Sequence, residues 1–100
     1  VGAGDTLHLT LFWQAVAEMD ADFTLTLQLQ DQAGNVVVSR EVKPTGGAHP
    51  PYSWQNGEIV RDQQNFLLPE TLVACRYDLF VRIRDLHIEA PGVLLTSIRI

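Results

Sequence analysis

The side chains with which this chain would do chemistry are three histidines, one cysteine and three serines. His8, His49 and His87 fall in an alternating apolar stretch, a Pro/Gly-rich stretch and a polar stretch, far apart in sequence. A zinc site takes about four converging ligands, and no His-x-His or Cys-x-x-Cys pair is present to seed one. A nucleophile at Ser39, Ser53, Ser97 or Cys75 would need a base and an orienting third group. There is no Gly-x-Ser-x-Gly elbow, and Cys75 borders an apolar strand, where a thiol is inert. Glu58 and Asp62 share a strand face two repeats apart, about 13 Å at 3.3 Å per residue, which is wider than glycosidase carboxylate pairs. These residues assemble no catalytic set, and they imply neither metal nor cofactor.

The aromatics are more informative. Residues 50–62 run Pro50-Pro51-Tyr52-Ser53-Trp54-Gln55-Asn56-Gly57 into an extended segment. Tyr52 and Trp54 beside Gln55 and Asn56 have the makings of a sugar platform, since a ring face packs on the apolar face of a pyranose and amides bond its hydroxyls. The structural alternative has Trp54 folded inward as a plug, burying a large aromatic surface at one end of the domain. On that reading Tyr52 is the ring that stays exposed.

The elements that must position this loop read as β-strands. Residues 6–13 place Leu7, Leu9, Leu11 and Trp13 on one face, and Thr6, His8, Thr10 and Phe12 on the other. Residues 23–30 repeat the pattern with Phe23, Leu25, Leu27 and Leu29 inward. The segment Asp31-Gln32-Ala33-Gly34-Asn35 favours a tight hairpin. Residues 36–42 return as a strand whose inward set is either Val36/Val38/Val42 or Val37/Ser39/Glu41.

Three prolines and two glycines in residues 44–51 end the ladder and impose a long crossing loop. Residues 58–68 resume with Val60, Asp62, Gln64, Phe66 and Leu68 on one face; polar residues on both faces suggest a sheet edge. Residues 76–84 read as a central strand with Tyr77, Leu79, Val81 and Ile83 inward. Residues 93–100 form the last strand, with Leu94, Thr96, Ile98 and Ile100 on one side. Residues 14–22 and 85–92 read as connections, the first with room for one helical turn. The expected fold is all-β, an antiparallel immunoglobulin-like or fibronectin-like sandwich of 6–8 strands forming one domain over residues 1–100.

Composition agrees with one such core: 46% of the residues are hydrophobic, and a chain of 100 residues buries enough surface without metal or disulfide staples. Twelve acidic against seven basic residues give a net charge of -5, with the basic residues scattered. No phosphate-neutralising stripe exists, which argues against nucleic acid and against docking on anionic lipid. No apolar run is long enough to insert in a membrane, and no leader lies within these residues. A start on Val1 without Met and a finish on an apolar strand read as the boundaries of a piece cut from a larger protein.

Tyr77 follows Leu68-Pro69 across a corner and resembles the corner tyrosine of immunoglobulin-like sandwiches, whose hydroxyl bonds back to the preceding turn. The glycine usual before such a tyrosine is replaced by Cys75-Arg76. More broadly, Leu11-Phe12-Trp13, the alternation Phe23 to Leu29 with Asp31-x-x-Gly34, then Pro51-x-x-Trp54-x-x-Gly57-Glu58-x-Val60-x-Asp62, and Leu68-Pro69 with Tyr77-x-Leu79-x-Val81 form a pattern spanning nearly the whole chain. It resembles the soluble C-terminal portion of bacterial membrane glycosyltransferases of the protein mannosyltransferase type, the Trp54 to Asp62 run being the distinctive part.

The resemblance implies an extracytoplasmic module of undefined activity, at the outer face of the cytoplasmic membrane, in the periplasm or at the cell surface. Its partner would be the rest of a larger membrane-associated polypeptide or another envelope protein. Trp13, Trp54, Gly57, Asp62 and Tyr77 are its structural signature, and it supplies no catalytic residues. The expected function is a non-catalytic accessory or interaction domain; the alternative is a carbohydrate-binding module using Tyr52, Trp54, Gln55 and Asn56.

Overall fold

In a computed structural model, which describes residues 1–14, 23–84 and 93–100, six strands appear where the apolar alternation calls for them. They are β1 (Thr6–Gln14), β2 (Thr24–Gln30), β3 (Val36–Val42), β4 (Ile59–Leu67), β5 (Arg76–Arg84) and β6 (Val93–Arg99). All pairings are antiparallel: β1 and β4 form a two-stranded sheet, and the other four form a sheet in the order β3-β2-β5-β6. Leu25, Leu27, Leu29 and Leu79 have no exposed surface, and Phe66 of β4 and Leu68 just beyond its end are buried in the same core. Each such side chain contributes about 1.5–3 kcal/mol of transfer free energy. The all-β sandwich expected from sequence is the fold observed.

The order β1-β4 against β3-β2-β5-β6 matches strands B-E against C′-C-F-G of the immunoglobulin-type sandwich. Tyr77 then stands at the start of the F-equivalent strand, and its hydroxyl donates to the carbonyl of Val73 at 2.8 Å. The corner bond forms although Cys75-Arg76 replaces the usual glycine.

Two strands depart from simple alternation. Leu29 pairs with Val38 but Gln30 pairs with Val36, so Val37 is an extra residue in β3. Val38 is buried and Val42 half-buried, while Val36 and Val37 both stay exposed. In β6 the extra residue is Leu95, because Leu79 pairs with Thr96 and Phe80 with Leu94. The expected common side of Leu94, Thr96, Ile98 and Ile100 is therefore corrected for its first two members: Ile98 and Ile100 are half-buried together with Leu95, and Leu94 and Thr96 are exposed. A bulge shifts the phase of alternation within the strand. The expected connections at residues 15–22 and 85–92, and His87 with them, lie outside the described residues.

The 2+4 arrangement is lopsided. At about 4.8 Å per strand, the strands of the smaller sheet among the described residues leave roughly two strands' width of the larger one without a facing strand. On the β3 side the loop from Lys43 to Trp54 fills the shortfall, placing the backbone of Lys43 and Thr45 against β4. On the β6 side Leu95, Ile98 and Ile100 remain half-exposed, as does the inward row Leu7, Leu9, Leu11 and Trp13 of β1.

Candidate functional site: the loop that closes one end of the sandwich

The loop after β3 begins with a short 3-10 segment, Pro44–Gly47, in which Thr45 takes φ 55° and ψ 20° and Gly46 follows at φ 64°. A β-branched residue in the left-handed region is strained. Three bonds hold it: the Thr45 N–H donates to Asp62 Oδ1 at 2.8 Å, its hydroxyl donates to the Pro44 carbonyl at 2.6 Å, and that oxygen accepts the His49 N–H at 2.8 Å. A second 3-10 turn, Pro51–Ser53, follows on the paired prolines. The turn Gln55–Glu58 then leads into β4, closed by the Glu58 N–H on the Gln55 carbonyl, with Gly57 at φ 83° where a type II turn requires a positive φ.

Asp62 is the hub beneath this loop. It is fully buried on the inward face of β4, where a polar side chain must find partners. Its carboxylate accepts Trp13 Nε1–H at 3.0 Å, the Thr45 N–H at 2.8 Å and Gln64 Nε2 at 2.8 Å. Gln64, also buried, donates again to the Lys43 carbonyl at 2.8 Å. One carboxylate thereby joins β1, β4 and the crossing loop.

Trp54 is 4% exposed and lies inside the domain. Its indole N–H donates to the His49 carbonyl at 2.9 Å, and its ring meets Phe23 edge-on, with centroids 5.7 Å apart. Phe23 in turn meets Trp13 edge-on at 6.0 Å. Such pairs add about 0.5–1.5 kcal/mol each to area burial. Trp54 is therefore the plug and is withdrawn from any sugar platform. Tyr52 is 58% exposed, and Gln55 and Asn56 are exposed beside the same turn. Tyr52 lines a cleft of about 230 Å³ with Phe23, Lys43, Pro44, Pro50 and Pro51.

The structure also brings together three residues that sequence reasoning kept apart. His49 Nε2 lies 2.7 Å from Glu58 Oε2, and His49 Nδ1 lies 3.2 Å from Ser53 Oγ. A serine, an imidazole and a carboxylate in line is the geometry of an activated nucleophile. Here the Pro50 carbonyl, 2.6 Å from the hydroxyl oxygen, competes with the imidazole for the one proton of Ser53. The backbone N–H groups of Ser53 and Trp54 bond the carbonyls of Pro50 and Pro51.

The cluster lies over Trp54 like a clasp, the His49 ring 6.3 Å from the indole. The Gln55 N–H and the His49 ring, in that order of effect, hold the Glu58 carboxyl below its ordinary value of 4.5. The sequence signal for the clasp was the i, i+4 spacing of His49 and Ser53 across a proline pair, which one tight turn brings together.

Two of the remaining chemical residues lie apart from this loop. His8 is on the outer face of β1, 2.8 Å from Asn65 Oδ1, and Cys75 is a half-buried free thiol packed against the core. Among the described residues no three His, Cys, Asp or Glu side chains converge as metal ligands. Compared with protein-family profiles, curated proteins and solved structures, the chain matches none of them.

Proposed function

We propose that this chain is a non-catalytic accessory or interaction domain of a larger bacterial envelope or membrane-anchored protein, held on the extracytoplasmic side. The observation that carries the reading is how the polar groups of the loop are used. Asp62, Thr45, Ser53 and His49 each spend their hydrogen bonds on fixing Lys43 to Glu58 over the end of the sandwich. The resemblance of the Trp54 to Asp62 run to the soluble portion of membrane glycosyltransferases supports the cellular setting. The purified chain is expected to show no His49-dependent turnover of chromogenic esters or glycosides. Turnover that scales with protein and is lost in His49→Ala and Ser53→Ala would overturn the reading.

A second reading, glycan binding, is favoured by one observation: the exposed Tyr52 ring at the mouth of the Lys43 and Pro51 cleft. It predicts saturable glycan binding that Tyr52→Ala abolishes while leaving the melting temperature unchanged. An array with no binder at millimolar sugar would remove it.

A further inference from the structure

We infer that the open edge of β1, with the apolar trough between β1 and β6, receives a single extended segment of polypeptide from outside these hundred residues as the third strand of the smaller sheet. This rests on the interaction-domain reading and names the chemistry of the partner.

The backbone identifies an extended chain as the occupant. β1 pairs with β4 on one side, and among the described residues nothing pairs with its other side. The Leu68 N–H donates to the Asp5 carbonyl at 2.8 Å, which sets the phase of the ladder. Because antiparallel partners alternate between hydrogen-bonded and non-hydrogen-bonded pairs, Leu7, Leu9, Leu11 and Trp13 direct their backbone groups to β4. Thr6, His8, Thr10, Phe12 and Gln14 direct theirs to the open edge. Among the described residues these donors and acceptors have no partner, and such a row is a template for one more strand.

Natural edges are blunted by charge, proline or bulges. β3 carries Arg40 and Glu41 as well as a bulge, β6 is bulged at Leu95 and ends on Arg99, and β4 carries Arg61. The nine residues of β1, TLHLTLFWQ, hold no Lys, Arg, Asp, Glu or Pro, and their pairing with β4 runs without a register shift. In the immunoglobulin-type order A-B-E-D, the place beside the B-equivalent β1 belongs to a strand.

The side-chain surface fits the same occupant. Leu11 and Trp13 from one sheet and Val81, Ile83, Val93 and Leu95 from the other line an apolar trough of about 230 Å³ along this edge. Alternate apolar residues of an added strand would point into it, because side chains alternate faces with period two. A second copy of this chain does not fit as an antiparallel neighbour. Antiparallel pairing of two β1 strands puts both apolar rows on one face, and so puts both four-stranded sheets there. Each sheet overhangs its own β1 by β6, so the two β6 strands would enter the same space. A lone strand with no globular body beneath it avoids that conflict.

The test uses the chain with a synthetic probe, the N-acetylated and C-amidated nonapeptide Lys-Thr-Val-Thr-Val-Thr-Val-Thr-Lys, read by amide hydrogen exchange. Without peptide the chain is expected to be monomeric, with the His8, Thr10 and Phe12 amides exchanging fast and those of Leu9 and Leu11 slow. Saturating peptide should slow His8, Thr10 and Phe12 at least tenfold. The same peptide N-methylated at alternate residues should have no effect. Thr10→Pro should abolish protection while Leu9 and Leu11 stay slow, since the Thr10 N–H is not used by β4.

Three results would each overturn the proposal: edge amides already slow in the free monomer, a dimer that protects β1, or no protection at millimolar peptide in a folded chain. None of them touches the non-catalytic reading, which falls instead to His49-dependent turnover.

Discussion

Replacing Asp62 by Asn tests whether one buried carboxylate secures the crossing loop. Asp62 accepts three N–H groups, from Trp13, Thr45 and Gln64, in a fully buried position. Asparagine is nearly isosteric but offers one acceptor oxygen and one NH₂. Its oxygen can still serve Thr45 and Gln64, which share Oδ1. Its NH₂ must then face the Trp13 indole N–H, donor against donor, where the oxygen now lies 3.0 Å away.

One buried donor left unsatisfied costs about 1–3 kcal/mol, so Asp62→Asn should cost about 2 kcal/mol. At about 4–8 °C per kcal/mol for a domain of this size, the melting temperature should fall by roughly 8–16 °C. Asp62→Ala orphans all three donors and should cost about 4 kcal/mol, a large share of the roughly 5–15 kcal/mol that holds such a domain folded. The assay is urea unfolding followed by far-UV circular dichroism, because Trp13→Phe is needed as the partner mutation and changes the fluorescence. In the double-mutant cycle Asp62→Asn should cost about 1–2 kcal/mol less in the Trp13→Phe background. An Asp62→Asn variant within 0.5 kcal/mol of the parent, or strictly additive mutations, would refute the hub.

Three further outcomes are expected. Trp54→Ala should cost about 3–5 kcal/mol while Tyr52→Ala stays within about 0.5 kcal/mol, both by urea unfolding; equal effects would contradict the inward Trp54. The Glu58 carboxyl titrates below its ordinary value of 4.5 in the folded chain. Its contribution to stability is therefore complete above that value and is lost as pH falls through the lower folded pKa. Thermal melts from pH 6 downward should show a shallower acid decline for Glu58→Gln than for the parent, and an unchanged slope would sink the clasp. Tyr77→Phe should lower the melting temperature with the fold retained, whereas an unchanged melt would mean that the hydroxyl bond to Val73 contributes nothing.

Much of the sandwich was legible because Leu7 to Trp13, Phe23 to Leu29 and Tyr77 to Val81 alternate without interruption, and period two needs no long-range information. The inward faces of β3 and β6 were not, because a bulge at Val37 or Leu95 shifts the phase and leaves no mark in composition. The polar residues of β4 suggested an edge, and β4 does lie in a sheet of only two strands. What satisfies Asp62 and Gln64 is supplied by Trp13, Thr45 and Lys43, at 49, 17 and 21 residues' separation, which no local pattern encodes. The aromatic loop could be singled out but not assigned a direction. Whether Trp54 turns in or out depends on the His49 carbonyl and the edge of Phe23.

The most direct test is hydrogen exchange of the two indole N–H groups in the free chain, read beside the β1 amides. The account predicts that the Trp13 and Trp54 indoles, bonded to Asp62 and the His49 carbonyl, exchange only through large-scale opening, while the His8, Thr10 and Phe12 amides exchange quickly. A Trp54 indole exchanging as fast as free tryptophan, with the β1 edge protected, would contradict it.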